Sequence, residues 1–527
     1  MQSDGRAALA APAHSGWAWL VPALAVLLSF PYYFSLNTFF SHDDFLILHF
    51  YKDWPVWKPW LYFQTDILSF YRPLQSYGIQ WLLQTFGMTA FPFALVLVLA
   101  HLANVVLFGF LIDRLFRDRA LTLLTVAFLA TNWEYCDVVF WKANYGTALS
   151  WLSTLGAAHA FLEYLERRAW QAYAMTLFLV VAALLAKESA GNVPLLLTLV
   201  FWAHLVWRRT PAEGAEANAP RERSPAGATW RRFLADGART LAPIYLLVGV
   251  YTIFHLLMVR DVYGPGQGYR YATPLGAIQS VLRGLTFWLL SPVEAAAELL
   301  RPGNRPAALL WLDRHVYVLP LLLIVLTAAT RNRCLLFGLL WAVLAFVPNN
   351  LIFDPHTPRY YYSAISGAAL LQAELVLLID RALAVRGSAR GRVWVRVSGI
   401  TALALFAGLS LTLLTKIVRE DAARCGQIRE VYSYLATLRG RVPPRTTFCV
   451  LCLSPVDHFN EGLGLREMVK MALADDSVEA FLPGQPLTKA LRERLRGENG
   501  PPVNLVRLAD GRLQVLAPTG VAPAAGR

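Results

Sequence analysis

Apolar runs long enough to cross a bilayer recur along this chain, and nothing else constrains its fold as strongly. A helical crossing needs about 20 residues. Trp17–Leu36, Phe91–Ile112, Leu241–Val259, Leu335–Ile352 and Val397–Leu414 approach or exceed that length. Within lipid, such a segment must satisfy its own backbone polar groups, so each is expected to be helical. Composition agrees. Only 16% of the 527 residues are charged and 56% are hydrophobic, against about 25% charged in a soluble domain. The expected fold class is an α-helical polytopic membrane protein with a small extracytoplasmic α/β domain at its C-terminus.

The net charge of +13 raises nucleic acid as a partner, but its distribution argues otherwise. The basic residues form short clusters beside apolar runs, as the positive-inside rule expects, and no basic groove interleaved with aromatics is visible. The clusters assign sides. Arg114, Arg117 and Arg119; Arg167 and Arg168; Arg208, Arg209, Arg221, Arg223, Arg231 and Arg232; Arg331 and Arg333; and Arg381, Arg386, Arg390, Arg392 and Arg396 are placed in the cytoplasm. The outer segments are then 37–89, 132–146, the Lys187–Glu188 region, 260–312, 353–362 and everything after about 417. An N-terminus inside and a C-terminus outside require an odd number of spans, and hydropathy gives about eleven. The expected location is a bacterial inner (plasma) membrane. Met1–Ser15 carries one arginine, Arg6, so Trp17–Leu36 is read as an uncleaved first helix. Residues 275–300 are apolar enough to cross. One crossing there would put Arg331 and Arg333 outside, and Arg283 interrupts the run, so these residues are expected at the outer interface or re-entering from it.

Two domains are expected: a membrane domain over 1–416 and a soluble outer α/β domain over 417–527. The latter has Pro443-Pro444, a strand-like run at 447–453 and a helix-like run at 463–474. The polar stretch 208–239 is a cytoplasmic linker, and its part at 211–228 is expected to be disordered. The five cysteines form no disulfide framework. Cys449 and Cys452 lie in an apolar run that would place them on opposite faces of a strand.

Several short polar clusters fall on the outer side. Asp43 and Asp44 follow the first span. They are either a solvated helix cap or a base, since glycosyl transfer to a hydroxyl needs a carboxylate to take the acceptor's proton. Tyr71-Arg72-Pro73-Leu74 offers a guanidinium, which anchors to headgroups or binds phosphate in a bidentate manner. Lys187-Glu188 lies between two apolar runs, where charges are costly and either pair with each other or serve function. Asp354–Tyr362 adds Arg359 as a further phosphate ligand, with Tyr360 and Tyr361 as sugar-stacking or interfacial aromatics. A short loop holds Glu134, Asp137 and Lys142, and His101 and Asn104 are read as hydrogen-bonding between helices. Together these clusters supply a base and a cationic clamp for a phosphate leaving group.

The order of Asp43-Asp44, Tyr71-Arg72-Pro73-Leu74, His101-Leu-Ala-Asn104, Lys187-Glu188 and Arg359-Tyr360 resembles the GT-C superfamily of membrane glycosyltransferases, with its protein O-mannosyltransferase-like and aminoarabinose-transferase-like members. The resemblance covers about residues 15–415. It implies a sugar donor carried on polyprenyl phosphate, a catalytic acid at Asp44 or Asp43, and substrate contacts from Arg72, Lys187, Glu188, Arg359, Tyr360 and Tyr361. The acceptor is left open among a lipid, a cell-wall glycan and a secreted protein. Some relatives use a divalent metal; no three-ligand set is evident here, so no cofactor is expected. A transporter or flippase for a lipid-linked precursor is the rival reading. It predicts inverted repeats and charges near the midplane, and the sequence shows neither. A non-catalytic scaffold would leave Lys187-Glu188 unexplained.

Overall fold

A computed structural model of the chain describes residues 16–41, 43–63, 71–207, 226–258, 273–300, 311, 314–315, 317–347, 360–386, 389–444, 446–450, 463–481, 503–509 and 512–516. Arg359, Cys452 and the linker residues 208–225 lie outside them. The chain is a helical, polytopic membrane protein. Its helices are α1 (Leu20–Leu28), α2 (Asp44–Tyr51), α3 (Pro73–Phe86), α4 (Ala90–Phe116), α5 (Arg119–Ala130), α6 (Cys136–Phe140), α7 (Tyr145–Arg167), α8 (Trp170–Ala186) and α9 (Val193–Trp207). They continue as α10 (Ala226–Met258), α11 (Pro274–Leu300), α12 (Val318–Thr330), α13 (Arg333–Phe346), α14 (Ile365–Arg386), α15 (Ala389–Thr437) and α16 (Leu463–Leu473).

Among the described residues, Ala90–Phe116, Glu188–Val206 and Ala235–Leu257 are each long and apolar enough to cross a membrane unaided. Two further helix pairs are apolar enough to cross but are bent at a break. The first apolar run bends by 53° between Leu20–Leu28 and Phe30–Asn37. Pro31 explains the break, since it lacks an amide donor and its ring clashes with the preceding turn. The second bends by 51° between Arg119–Ala130 and Trp133–Phe140. There Asn132 stops the helix and its side chain caps the amide of Glu134 at 3.0 Å. The two breaks meet, because the Tyr32 hydroxyl donates to the Asn132 carbonyl. Residues 274–300 form one helix, α11, whose Trp288 is buried in the core.

Three helical hairpins share one turn. α4 passes to α5, α7 to α8 and α12 to α13 through two residues. The first of the two is an arginine in the left-handed region each time: Arg117 (φ 53°), Arg168 (φ 54°) and Arg331 (φ 50°). That conformation closes the helix end by returning an amide to the last turn, as Arg117 does to Asp113 and Arg168 to Tyr164, both at 2.8 Å. An arginine also sets positive charge against the helix C-terminus. Polar contacts tie the same region together. Arg114 reaches Glu163 and Glu166 of α7 at 2.8 and 2.7 Å, and the buried Glu374 accepts from Asn332 and Arg381 at 2.6 and 2.8 Å.

After α14 the chain enters α15, which continues unbroken through 416–417. The strand-like run contains β1 (Thr447–Val450), and α16 occupies the helix-like run. With β2 (Glu479–Phe481), β3 (Val503–Ala509) and β4 (Arg512–Leu516) the sheet order is β2-β1-β3-β4. β1 pairs in parallel with β2 and β3, while β4 runs antiparallel to β3. Phe448, Val450, Leu465, Met468 and Val469 pack with Phe45, Leu48, Ile428 and Val431 in one apolar cluster. That cluster carries the C-terminal segment onto α2.

Helices α13 and α14 approach so closely that only glycine fits. A Cβ on Gly367 would stand 2.5 Å from the Ala342 amide nitrogen and 2.6 Å from the Gly338 carbonyl oxygen, and backbone atoms cannot yield as side-chain tips do. Small residues allow such approaches in membrane bundles. Gly367→Ala is therefore expected to destabilise by about 1–3 kcal/mol and to lower the unfolding midpoint in detergent. Gly191→Ala, where a Cβ meets nothing within 4 Å, should leave it nearly unchanged. Equal midpoints for the two variants would contradict this packing.

Candidate functional site

Asp44 opens α2 and is only 2% exposed. Its Oδ2 accepts the Ser41 amide at 2.9 Å, and its Oδ1 accepts the Ala143 amide at 2.6 Å. One carboxyl thus stitches the end of the first broken span to a loop a hundred residues away. Lys142, beside Ala143, is buried as well. Its ammonium donates to Thr38 Oγ1 at 2.5 Å and to the carbonyls of Phe39 and Phe140, both at 3.0 Å. Burial pushes the Asp44 carboxyl up from its ordinary 3.8 to about 7; the Lys142 charge and the two amides hold it from rising further, while Asp43 adds to the rise. The carboxyl lines a small, mainly apolar pocket with Phe40, Ile47, Ile79, Phe93 and Lys142. Asp43, immediately before α2, is half-buried.

Lys187 stands four residues further along the same path. Ala143 gives its amide to Asp44; Gly146, the second residue of α7, lies against the end of α8; Thr147 meets Lys187. A Cβ on Gly146 would fall 2.5 Å from the Ala186 carbonyl oxygen and 2.1 Å from Gln75 Oε1, so glycine permits this contact between helix ends. Gln75, from α3, in turn donates to the Ala143 carbonyl at 2.9 Å. Lys187 is 5% exposed; its ammonium donates to Thr147 Oγ1 at 2.5 Å and lies 5.9 Å from the Tyr360 ring centre. It faces a cavity lined by hydroxyls and amides, including Thr147, Ser150, Thr154, Asn192 and Ser363. The empty space there is about 350 Å³ with its mouth.

Glu188 turns the other way. Both its oxygens are taken by Arg72, through Nε at 2.7 Å and through a terminal nitrogen, a bidentate pair joining the start of α3 to the α8–α9 turn. Tyr361 is enclosed by Trp288 and Phe346, with ring centres at 5.4 and 5.3 Å, so its ring belongs to the core. The Tyr362 hydroxyl meets both His101 and Asn104 at 3.1 Å, and Asn104 also donates to the Ala148 carbonyl at 3.1 Å. These are interhelical hydrogen bonds. Among the described residues, no group of three or more His, Cys, Asp or Glu is placed to hold a metal ion.

The structure therefore joins Asp44 and Lys187 through the segment Ala143–Thr147, places Tyr360 beside Lys187 and pairs Glu188 with Arg72. Sequence reasoning singles out Lys142 but gives no special weight to Ala143–Thr147, or to Ser150 and Thr154. A signal exists, since Thr147, Ser150 and Thr154 lie three and four residues apart, a polar stripe on one face of a largely apolar helix.

No protein-family model matches the chain, and no curated protein matches it. Among solved structures it is similar to ArnT from Cupriavidus metallidurans bound to undecaprenyl phosphate, with 14% identity, 94% of each chain covered and a TM-score of 0.47. It is also similar to the same protein in the apo state, with 14% identity, 94% of this chain and 93% of that one covered and a TM-score of 0.48.

The electrostatics of Asp44 are directly measurable. Because its carboxyl is lifted in the folded protein, the neutral form favours folding, and that contribution fades as pH rises through about 7. Lys142 opposes the lift, so Lys142→Met should raise the Asp44 titration midpoint above the wild-type value in an infrared titration of the carboxyl band. An unchanged midpoint would show that the two charges do not interact.

Proposed function

We propose that the chain is a membrane glycosyltransferase of the GT-C kind, moving a sugar from a polyprenyl-phosphate carrier to a hydroxyl acceptor on the extracytoplasmic face. One observation carries this reading: a single short segment, Ala143–Thr147, touches both a buried carboxyl titrating near neutrality and a polar cavity containing a buried lysine. A base is most useful when its pKa lies near the working pH, and a buried cation lining a polar cavity is suited to charge that develops on a leaving group. The order of the sequence motifs supports the same reading.

In this mechanism Asp44 takes the proton of the acceptor hydroxyl, with Asp43 as the second choice. The hydroxyl oxygen bonds to the anomeric carbon as the bond from that carbon to the phosphate oxygen breaks. The electron pair leaves with the polyprenyl phosphate, where Lys187 meets the new negative charge. Arg72, held in orientation by Glu188, and Arg359 complete the clamp, and Tyr360 flanks the sugar. Direct displacement inverts the anomeric centre. The lipid tail lies between helices of the membrane domain, 1–416, and 417–527 forms an extracytoplasmic domain. No metal takes part in this scheme.

The test is release of free polyprenyl phosphate from a panel of polyprenyl-phosphate sugars by purified protein. Wild type should release it from at least one donor, with a rate rising as pH passes through about 7, where Asp44 ionises. Asp44→Asn should lose about 10²-fold or more. Equal release by both would move the base elsewhere. No release, together with movement of the lipid across liposomes, would make the chain a transporter.

A further inference from the structure

Helix α2 carries Asp44 at one end and His49 near the other, and His49 is gripped by the C-terminal segment. Its Nδ1 lies 2.7 Å from Glu467 Oε2 on α16, and its Nε2 lies 2.8 Å from Asp476 Oδ1. The Asp476 contact has hydrogen-bond geometry, while the Glu467 contact is a close ion pair; a neutral imidazole can serve only the first, and the imidazolium serves both. The surrounding charges are mixed. Lys52, just past α2, lies 2.7 Å from the same Asp476 oxygen and 3.1 Å from His49 Nε2. Arg466 and Lys470 of α16 reach Glu467 at 2.7 and 3.8 Å. Glu467 is buried, yet its contacts with His49 and Arg466 outweigh that burial and hold it down to about 2. Lys52 and then His49 hold Asp476 down to about 2. The two carboxylates thus stay ionised around neutrality, where histidine ordinarily changes charge. The contact with Glu467 raises the His49 pKa, aided by Asp476, against burial and Lys52.

Apolar packing runs beneath the ionic contacts. Phe45 stacks on Tyr432 of α15, ring centres 6.1 Å apart at 26°, and Leu48 shares a cluster with Leu465, Met468 and Val469. The same short helix is therefore fixed at its start through Asp44 to the 140s loop and near its end through His49 to α16.

We propose that His49 is a positioning residue: as a cation it latches the C-terminal segment onto α2 and so fixes the helix that presents Asp44. The consequence for turnover rests on Asp44 being the base; the latch itself does not. The sign follows from linkage. A group whose pKa is raised on docking contributes fully below its undocked value, about 6.5 for histidine, and loses that contribution as pH rises through the raised value. The latch is closed in mild acid and released by alkali.

Hydrogen–deuterium exchange of full-length protein in nanodiscs tests this, with protection corrected for the intrinsic effect of pH. In wild type, protection of 44–51 and 463–473 should fall by about tenfold or more as pH rises from about 6 to about 9. His49→Gln should show the lower protection at every pH. Asp476→Asn, changed at an exposed position, should fold and lose protection at a lower pH than wild type, because one partner of the imidazolium is gone. Wild-type protection that is flat with pH, or an Asp476→Asn transition unmoved from wild type, would overturn the proposal. Because exchange is read without any donor or acceptor, failure of the latch is distinguishable from failure of the glycosyl-transfer reading.

Discussion

Everything around the site depends on where one buried carboxyl sends its two oxygens. Asp44 binds the Ser41 amide on its own strand of chain and the Ala143 amide from a distant loop. The buried Lys142 then sews that loop to Thr38 and Phe39, on the other side of the same junction. Neither charge is cheap to bury. Each is tolerated because backbone groups that would otherwise lack partners there receive or supply its hydrogen bonds. The result is a fixed starting point for α7, and hence for Thr147 and the Lys187 cavity.

The breaks in the helices serve the same end. An unbroken first span would carry residues 30–37 straight on. Pro31 turns them, and the Tyr32 hydroxyl then reaches the Asn132 carbonyl at the second break. At the junction itself Tyr32, Thr131 and Asn132 are buried. Elsewhere, three hairpins are closed by short links that begin with an arginine in the left-handed region.

Much of this is legible in the sequence. The run Phe91–Ile112 lies within α4 and Leu241–Val259 largely within α10, because length and apolar content alone decide a spanning helix. The strand at 447 and the helix at 463 follow from local pattern. Asp43-Asp44 and Lys187-Glu188 stand out because charge beside apolar runs is rare. What is not legible is pairing across distance. Arg72 and Glu188 are 116 residues apart, and nothing local says that they bind each other. Tyr360 and Tyr361 are identical in sequence terms, yet one faces Lys187 and the other packs on Trp288. Packing of whole helices decides such matters. Thr147, Ser150 and Thr154 form a readable stripe, but hydroxyls in membrane helices also satisfy their own backbone, as Thr154 does with the Ser150 carbonyl at 2.8 Å.

The central claim is that the cavity beside Lys187 receives the phosphate of a lipid carrier. The most direct measurement is an experimental structure of the protein in a lipid nanodisc with bound polyprenyl phosphate. The account predicts phosphate density within hydrogen-bond distance of the Lys187 ammonium, in the cavity lined by Thr147 and Asn192, with the lipid chain leading out between helices. Phosphate bound elsewhere, with that cavity filled only by water, would contradict it.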